Sequence, residues 1–154
     1  MSQLSAHPSV EALCRRYFAA VDQPFEVLPS WFFSDNEAEA NALLELVLVG
    51  TKRATSPSLW WFELHEQPMI QPGTLEVVTD WFGRARCVIR TVAVDVVAYN
   101  QITAEYARIE GEGDRSLSYW QRVHWDYYHR ELAGSRFQPS EDMPIVCIQF
   151  DRVF

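Results

Sequence analysis

The order in which two periodicities follow one another along the chain predicts an α+β fold. Helical spacing dominates the first third, β-rich runs set off by turn signals fill the middle, and an Ile/Val/Phe-rich segment closes the chain after two further helical stretches. A third observation sets the scale. At 154 residues, 48% of them hydrophobic and 22% charged, the chain suits one soluble domain with a sizeable core. No repeat, low-complexity tract or linker divides it, so a single domain over 1–154 is expected, with a helical extension over about residues 1–30.

Val10, Leu13, Cys14, Tyr17, Phe18 and Val21 recur at helical spacing behind Pro8-Ser9, which predicts an amphipathic helix ending before Pro24. Ser34 and Glu37 stand at capping-box spacing before an Ala/Leu/Glu-rich run. A second helix is expected there, closed by Gly50 in a left-handed cap. Ser58 caps a short helix through Trp60, Trp61 and Leu64 that Pro68 ends. Pro72-Gly73 turns the chain into a strand over 75–81, and Phe82-Gly83 turns it again into a long β-rich run over 85–99. Helices over 102–110 and 116–132 follow, the latter capped by Ser116 and closed by Gly134. Residues 144–154 supply the last strand.

The formal net charge of −8 argues against a protein that coats long nucleic acid, DNA included, because the surface as a whole repels polyanions. Screening over about 8 Å still lets a local basic pocket act on its own, so recognition of a small anionic or nucleoside ligand fits. Cys14, Cys87 and Cys147 are odd in number and widely spaced, which indicates neither a disulfide framework nor a thiolate zinc site. No segment approaches 18 consecutive apolar residues, and the N-terminus lacks the pattern of a secretory signal. No membrane association is therefore expected, and a reduced cytoplasmic location is the default.

Twelve of the thirteen basic residues are arginine; the one lysine is Lys52, inside Gly50-Thr51-Lys52-Arg53-Ala54-Thr55. Guanidinium stays protonated, whereas a partly desolvated ammonium can give up its proton, so a solitary lysine points to a chemical role. Coding bias that exchanges Lys for Arg explains the same count. Thr55 lies three residues on, and a turn through Ser56-Pro57 lets amine and hydroxyl cooperate. Such a pair serves as base and nucleophile, or holds a phosphate or carbonyl oxygen.

Glu110-Gly111-Glu112-Gly113-Asp114 joins two predicted helices. Its charge suits a carboxylate donated to an active site, or a divalent cation at Glu112/Asp114, better than it suits phosphate. Glu112 and Asp114 also read as an ordinary acidic first turn. Glu110 does not, since a negative charge at the end of the preceding helix is slightly unfavourable. Arg84, Arg86 and Arg90 share one strand face, fit either for anion recognition or for protection of a sheet edge. Leu117, Trp120, His124 and Tyr127 line one side of the last long helix, as core or as a base-stacking face. His65-Glu66-Gln67-Pro68-Met69 lacks the second histidine of a zincin helix, and no metal is assigned.

Taken together, Gly50-x-Lys52-x-x-Thr55, the Pro72-Gly73 turn, the 102–114 segment ITAEYARIEGEGD and Ser116-Leu117-x-x-Trp120-x-x-x-His124-Trp125 resemble the ASCH domain family in its longer bacterial branch, over about residues 30–154. The resemblance implies a PUA-like fold, a small β-barrel flanked by helices with a cleft at its mouth, and RNA or a modified nucleoside as ligand. It also implies a hydrolase, either an amidohydrolase of acetylated cytidine or a ribonuclease, with Lys52, Thr55 and Glu110 as the catalytic group. In the acyl version Thr55 attacks, Lys52 takes its proton and Glu110 holds or protonates the leaving amine. Arg53, Ser56, Arg84, Arg86, Arg90, Trp120 and His124 are the expected substrate contacts, and no cofactor is required. A non-catalytic RNA- or nucleotide-binding module and a small-metabolite sensor remain as alternatives.

Overall fold

A computed structural model of the chain describes residues 6–154, so the first five residues of the expected 1–30 extension lie outside the described residues. The chain forms two compact units. The first comprises the chain up to Gly50 together with Gly73–Arg90 and Asp151–Phe154; the second comprises Thr51–Pro72 and Thr91–Phe150.

In the first unit, helix α1 (Pro8–Ala20) starts on a proline that needs no hydrogen-bond donor there, behind His7, whose ring accepts from the Ser9 amide. Its apolar stripe of Val10, Leu13, Cys14, Tyr17 and Phe18 buries against Leu28, Val77 and Val88. Each large side chain so buried contributes about 1.5–3 kcal/mol, and Leu13→Ala is expected to cost about 2–5 kcal/mol. Strand β1 (Ser30–Trp31) lies parallel to β3 (Leu75–Thr79), which pairs antiparallel with the start of β4 (Ala85–Ala98). Helix α2 (Glu37–Leu48) is capped two residues later than expected, at Asn36. Ser34 holds φ 64°, a left-handed geometry an N-cap does not use, so Asn36 accepts the Glu39 amide while the Ser34 hydroxyl bonds the Glu39 side chain.

In the second unit, β2 (Ala54–Thr55) runs antiparallel to β5 (Pro144–Arg152), pairing Ala54 with Gln149 and Thr55 with Ile148. Ser58 caps α3 (Leu59–Leu64), Thr103 caps α4 (Ala104–Glu110) and Ser116 caps α5 (Leu117–Glu131), each side-chain oxygen accepting an amide in the first turn. A 3-10 turn over Tyr99–Gln101 links β4 to α4. The core of this unit gathers Tyr99, Tyr106, Trp120, Tyr128, Met143 and Ile145. So many rings carry polar tips, and these find partners: the Tyr99 hydroxyl donates to the Gln121 carbonyl at 2.6 Å, and Tyr128 to that of Ser56 at 2.6 Å.

The architecture is α+β, with strands hydrogen-bonded in the order β1-β3-β4-β5-β2 and helices alongside. This ladder ends at β1 and β2, so among the described residues hydrogen bonds do not close the sheet into a ring. No described helix is long and apolar enough to cross a membrane.

Candidate functional site

Every part of the site belongs to the second unit. Glu110 is the last residue of α4, and Gly111 follows in the left-handed region at φ 77°, a geometry that ends the helix and redirects the chain at once. A Cβ at this position would run into the Thr51 carbonyl. Gly113 also has positive φ, at 56°, and a Cβ there would strike the Tyr119 ring. The two glycines thus let the loop close down on both sides, and the carboxylates at 110 and 112 turn toward the same lysine.

Lys52 is buried, with 1% of its surface exposed. Its ammonium donates to the Ala54 carbonyl at 2.7 Å and to Glu112 Oε1 at 2.7 Å, and lies 3.5 Å from Glu110 Oε1. Glu110 is just as buried and accepts at both oxygens. His124 Nε2 meets Oε1 at 3.0 Å, while the Ser56 hydroxyl and the Trp120 indole N–H each donate to Oε2 at 2.5 Å. The Ser56 hydroxyl also meets that of Tyr106 at 2.8 Å. The Trp120 ring stacks on His124 at 4.1 Å.

This setting decides the protonation states. Burial pulls Lys52 toward its neutral form, but Glu112 and then Glu110 more than offset it, and its pKa rises. Burial likewise pushes Glu110 up, yet His124, Lys52 and the donated hydrogen bonds bring it down to about 2. Lys52 is thus held as a buried cation and Glu110 as a buried anion, each the nearest support of the other's charge besides Glu112 and His124. Burial also raises the Tyr106 and Tyr128 phenols well above their usual range and Cys147 to about 12, which leaves them neutral.

Of the residues expected at the site, Lys52, Glu110, Ser56, Trp120 and His124 converge. Thr55 lies on β2, half-buried, and the atom it offers the cluster is its backbone carbonyl, which accepts from Tyr106 at 3.0 Å. The hydroxyl that reaches Glu110 belongs to Ser56, one residue on, because successive side chains of an extended segment face opposite ways. Arg53 is exposed beside the cluster and bonds through its backbone to Ile109 and Phe150. Arg84, Arg86 and Arg90 lie in the first unit, where Arg84 pairs with Asp80 at 2.6 Å, Arg86 with Glu45 at 3.3 Å, and Arg90 donates to the Tyr17 hydroxyl at 3.4 Å. Trp120 and His124 are core residues that bond Glu110, and their stacked faces are turned to each other. Tyr106 and Tyr128 were given no site role from the sequence, since an aromatic that braces a loop through its hydroxyl has the same spacing as one that only fills space.

Glu110, Glu112 and His124 bring ligand-type atoms within 4.8 Å of one another. The Lys52 ammonium supplies positive charge at both carboxylates, so the group also forms a salt-bridge cluster. Asp114, expected beside Glu112 in a cation site, turns instead to the Ser116 amide at 2.8 Å, next to the N-cap of α5.

The ASCH domain family model matches residues 29–154. The chain belongs to the ASCH domain family. Solved structures agree with this: an ASCH domain from Lactobacillus crispatus JV V101 is 31% identical, with a TM-score of 0.86 over 99% of each chain. A protein from Enterococcus faecalis V583 is 27% identical, with a TM-score of 0.87 over 94% of this ASCH domain and 88% of its own length. A hypothetical protein at 15% identity and a TM-score of 0.52 shares the fold alone. No curated protein matches the sequence. The PUA-like class of fold follows from the family, and the family is generally proposed to bind RNA.

Proposed function

We propose that this ASCH domain is a hydrolase of RNA or of a modified nucleoside, with Lys52 as a fixed positive charge. The carrying observation is the group of buried Lys52, Glu110 and His124 with Glu112 at its edge, cations against carboxylates in a core, where such groups are costly to keep unless used. A preorganised ammonium stabilises negative charge developing on a carbonyl or phosphoryl oxygen without itself moving a proton. The proton of an attacking hydroxyl or water then needs an acceptor. Glu110 has both oxygens engaged, whereas Glu112 is partly exposed and binds Lys52 through Oε1, so the Glu112 carboxylate suits that task. In the acyl version Thr55 remains the candidate nucleophile.

Turnover of N-acetylcytidine and of a short single-stranded RNA tests this reading. Glu112→Gln is expected to lose about 10²- to 10⁴-fold in kcat and to lower Tm as well, because the buried Lys52 ammonium loses its nearest counter-charge. Lys52→Arg is expected to keep measurable turnover, since charge is preserved. Full activity in Lys52→Met would remove the cluster from the chemistry. The saturation of Glu110 favours a second reading, a non-catalytic module whose cluster shapes a binding loop. Oligonucleotide binding without turnover of either substrate would decide for it.

A further inference from the structure

Lys52 and Glu112 reach their 2.7 Å contact from segments that are both tied to the last turn of α4. A helix leaves its final four carbonyls without partners of its own. Here the Ala107 carbonyl accepts from the Gly111 amide at 3.1 Å, and the Ile109 carbonyl accepts from the amide of Arg53, the neighbour of Lys52, at 3.0 Å. The Arg108 carbonyl is taken by a side chain: the Arg115 guanidinium donates to it through Nε and Nη2 at 3.4 and 3.2 Å. The amide of the same Arg115 donates to the Glu112 carbonyl at 2.9 Å and closes a turn over 112–115. Arg115 thus joins the helix end to the residue that meets Lys52.

Arg115 makes this link from an unfavourable backbone. Its φ of 67° lies in the left-handed region, which strains any residue with a Cβ and leaves glycine unstrained. Asp22 and Glu66 also have positive φ, but each directly follows a helix C-cap, where that geometry is ordinary. Arg115 instead stands before an N-cap, Ser116. Glycine at 115 would release the strain and forfeit the guanidinium, so the strain accompanies the side chain that reaches α4. Such geometry persists only where surrounding contacts impose it. On its other side the loop is held by Asp114, whose Oδ1 accepts the Ser116 amide at 2.8 Å, and by the Tyr119 ring, which a Cβ at Gly113 would overlap. Arg122 lies 5.4 Å from the centroid of that ring. We infer that Arg115 and Tyr119 are positioning residues that clamp the 111–115 loop and set the Glu112 carboxylate against Lys52. The inference rests on Glu112 as the proton acceptor of the proposed hydrolysis and names what aims it.

Lys52 is the only lysine of the chain, so lysine labelled with carbon-13 at Cε gives one side-chain resonance that reports its counter-charge. Glu112→Gln removes that counter-charge outright and defines the direction in which the resonance moves. Arg115→Gly is expected to keep or raise Tm, because it releases strain, while it moves the resonance in that direction. It is also expected to lower kcat on N-acetylcytidine or a short single-stranded RNA by about 10- to 10²-fold at unchanged KM, the upper figure being what a misplacement of about 1 Å costs. Tyr119→Ala should shift resonance and kcat likewise, and Tyr119→Phe, which keeps the ring, should restore both. A parent-like resonance and kcat in Arg115→Gly overturns the clamp, and so does a Tyr119→Phe variant as impaired as Tyr119→Ala. Should Arg115→Gly fail to fold, the two Tyr119 variants carry the test. A resonance shifted in Arg115→Gly and Tyr119→Ala, with no turnover of either substrate by the parent, keeps the clamp and rejects the hydrolase. Turnover by the parent that neither variant alters, with the resonance unmoved, does the reverse.

Discussion

His124 is where the chemistry of the cluster makes its sharpest demand. The Trp120 carbonyl, 2.8 Å from Nδ1, can only accept, so Nδ1 carries a proton. Glu110 Oε1, 3.0 Å from Nε2, belongs to a carboxylate held ionised, so Nε2 carries a second. The ring is an imidazolium inside a core. Burial pulls it toward the neutral form, but the charge of Glu110, the hydrogen bond between them, Glu112 and the Trp120 carbonyl outweigh that, and its pKa rises. The resulting stability is fully present below the ordinary histidine value of about 6.5 and is lost as pH climbs through the raised one. His124→Gln keeps a donor and removes the charge. Glu110 then loses a charge-assisted bond worth about 1.5–3 kcal/mol, with Lys52 at 3.5 Å as its remaining nearby cation. A loss of about 2–3 kcal/mol at pH 6 follows, roughly 30- to 150-fold in the folding equilibrium, shrinking once pH climbs through the raised value of the parent ring. Nitrogen-15 NMR of the ring across a pH series locates that value, and urea unfolding below and above it measures the difference. Equal losses on both sides of it, or a single protonated nitrogen at pH 6, would refute the reasoning.

Three further outcomes are expected. Glu131, close to Ser58 and raised to about 7 by burial, keeps its proton in the folded chain after the unfolded chain has released it near 4.5. Stability therefore falls as pH rises from about 4.5 to 7, and Glu131→Gln should remove up to about 3 kcal/mol of that fall in urea melts at pH 8. Ser56→Ala takes a 2.5 Å donor from Glu110, at a cost of about 1–3 kcal/mol. Because Glu110 contributes stability above its unfolded value and loses it as pH drops toward 2, the acid transition followed by circular dichroism should begin at higher pH in that variant. Gly111→Ala strains a left-handed residue and meets the Thr51 carbonyl, so Tm should fall and any turnover with it as the 110–112 loop moves off Lys52; an unchanged Tm would show that the loop has slack.

What the sequence revealed, and what it hid, follows from the range of the forces involved. Caps at Ser58 and Ser116 and the glycine end of α2 act within four residues, so the boundaries they set were readable from local spacing; Thr103 and Gly111 bound α4 by the same local rules. The exceptions have local causes of another kind: Ser34 adopts a backbone geometry that its side chain does not announce, and the two-residue strands at 30–31 and 54–55 are too short for any period to register. At the site, Lys52 and Glu110 stood out because each was anomalous by itself, one as a lone ammonium and the other as a carboxylate at a helix C-terminus. Their 3.5 Å separation gives that second anomaly a physical reason, since the helix end tolerates Glu110 only because Lys52 and His124 meet it there. The protonation states were hidden, because they depend on which groups converge from 52, 110, 112 and 124 and on how little water reaches them. The same convergence separates Thr55 from Ser56. A motif aligned on residue identity favours the threonine, but the pleat of β2 sends adjacent side chains to opposite faces, and it is Ser56 whose hydroxyl arrives at the carboxylate. A serine that holds Glu110 and a threonine left partly exposed are distinct chemical positions. Comparing Ser56→Ala with Thr55→Ala in one turnover assay therefore separates bracing of the cluster, which lowers stability and turnover together, from nucleophilic attack, which lowers turnover alone.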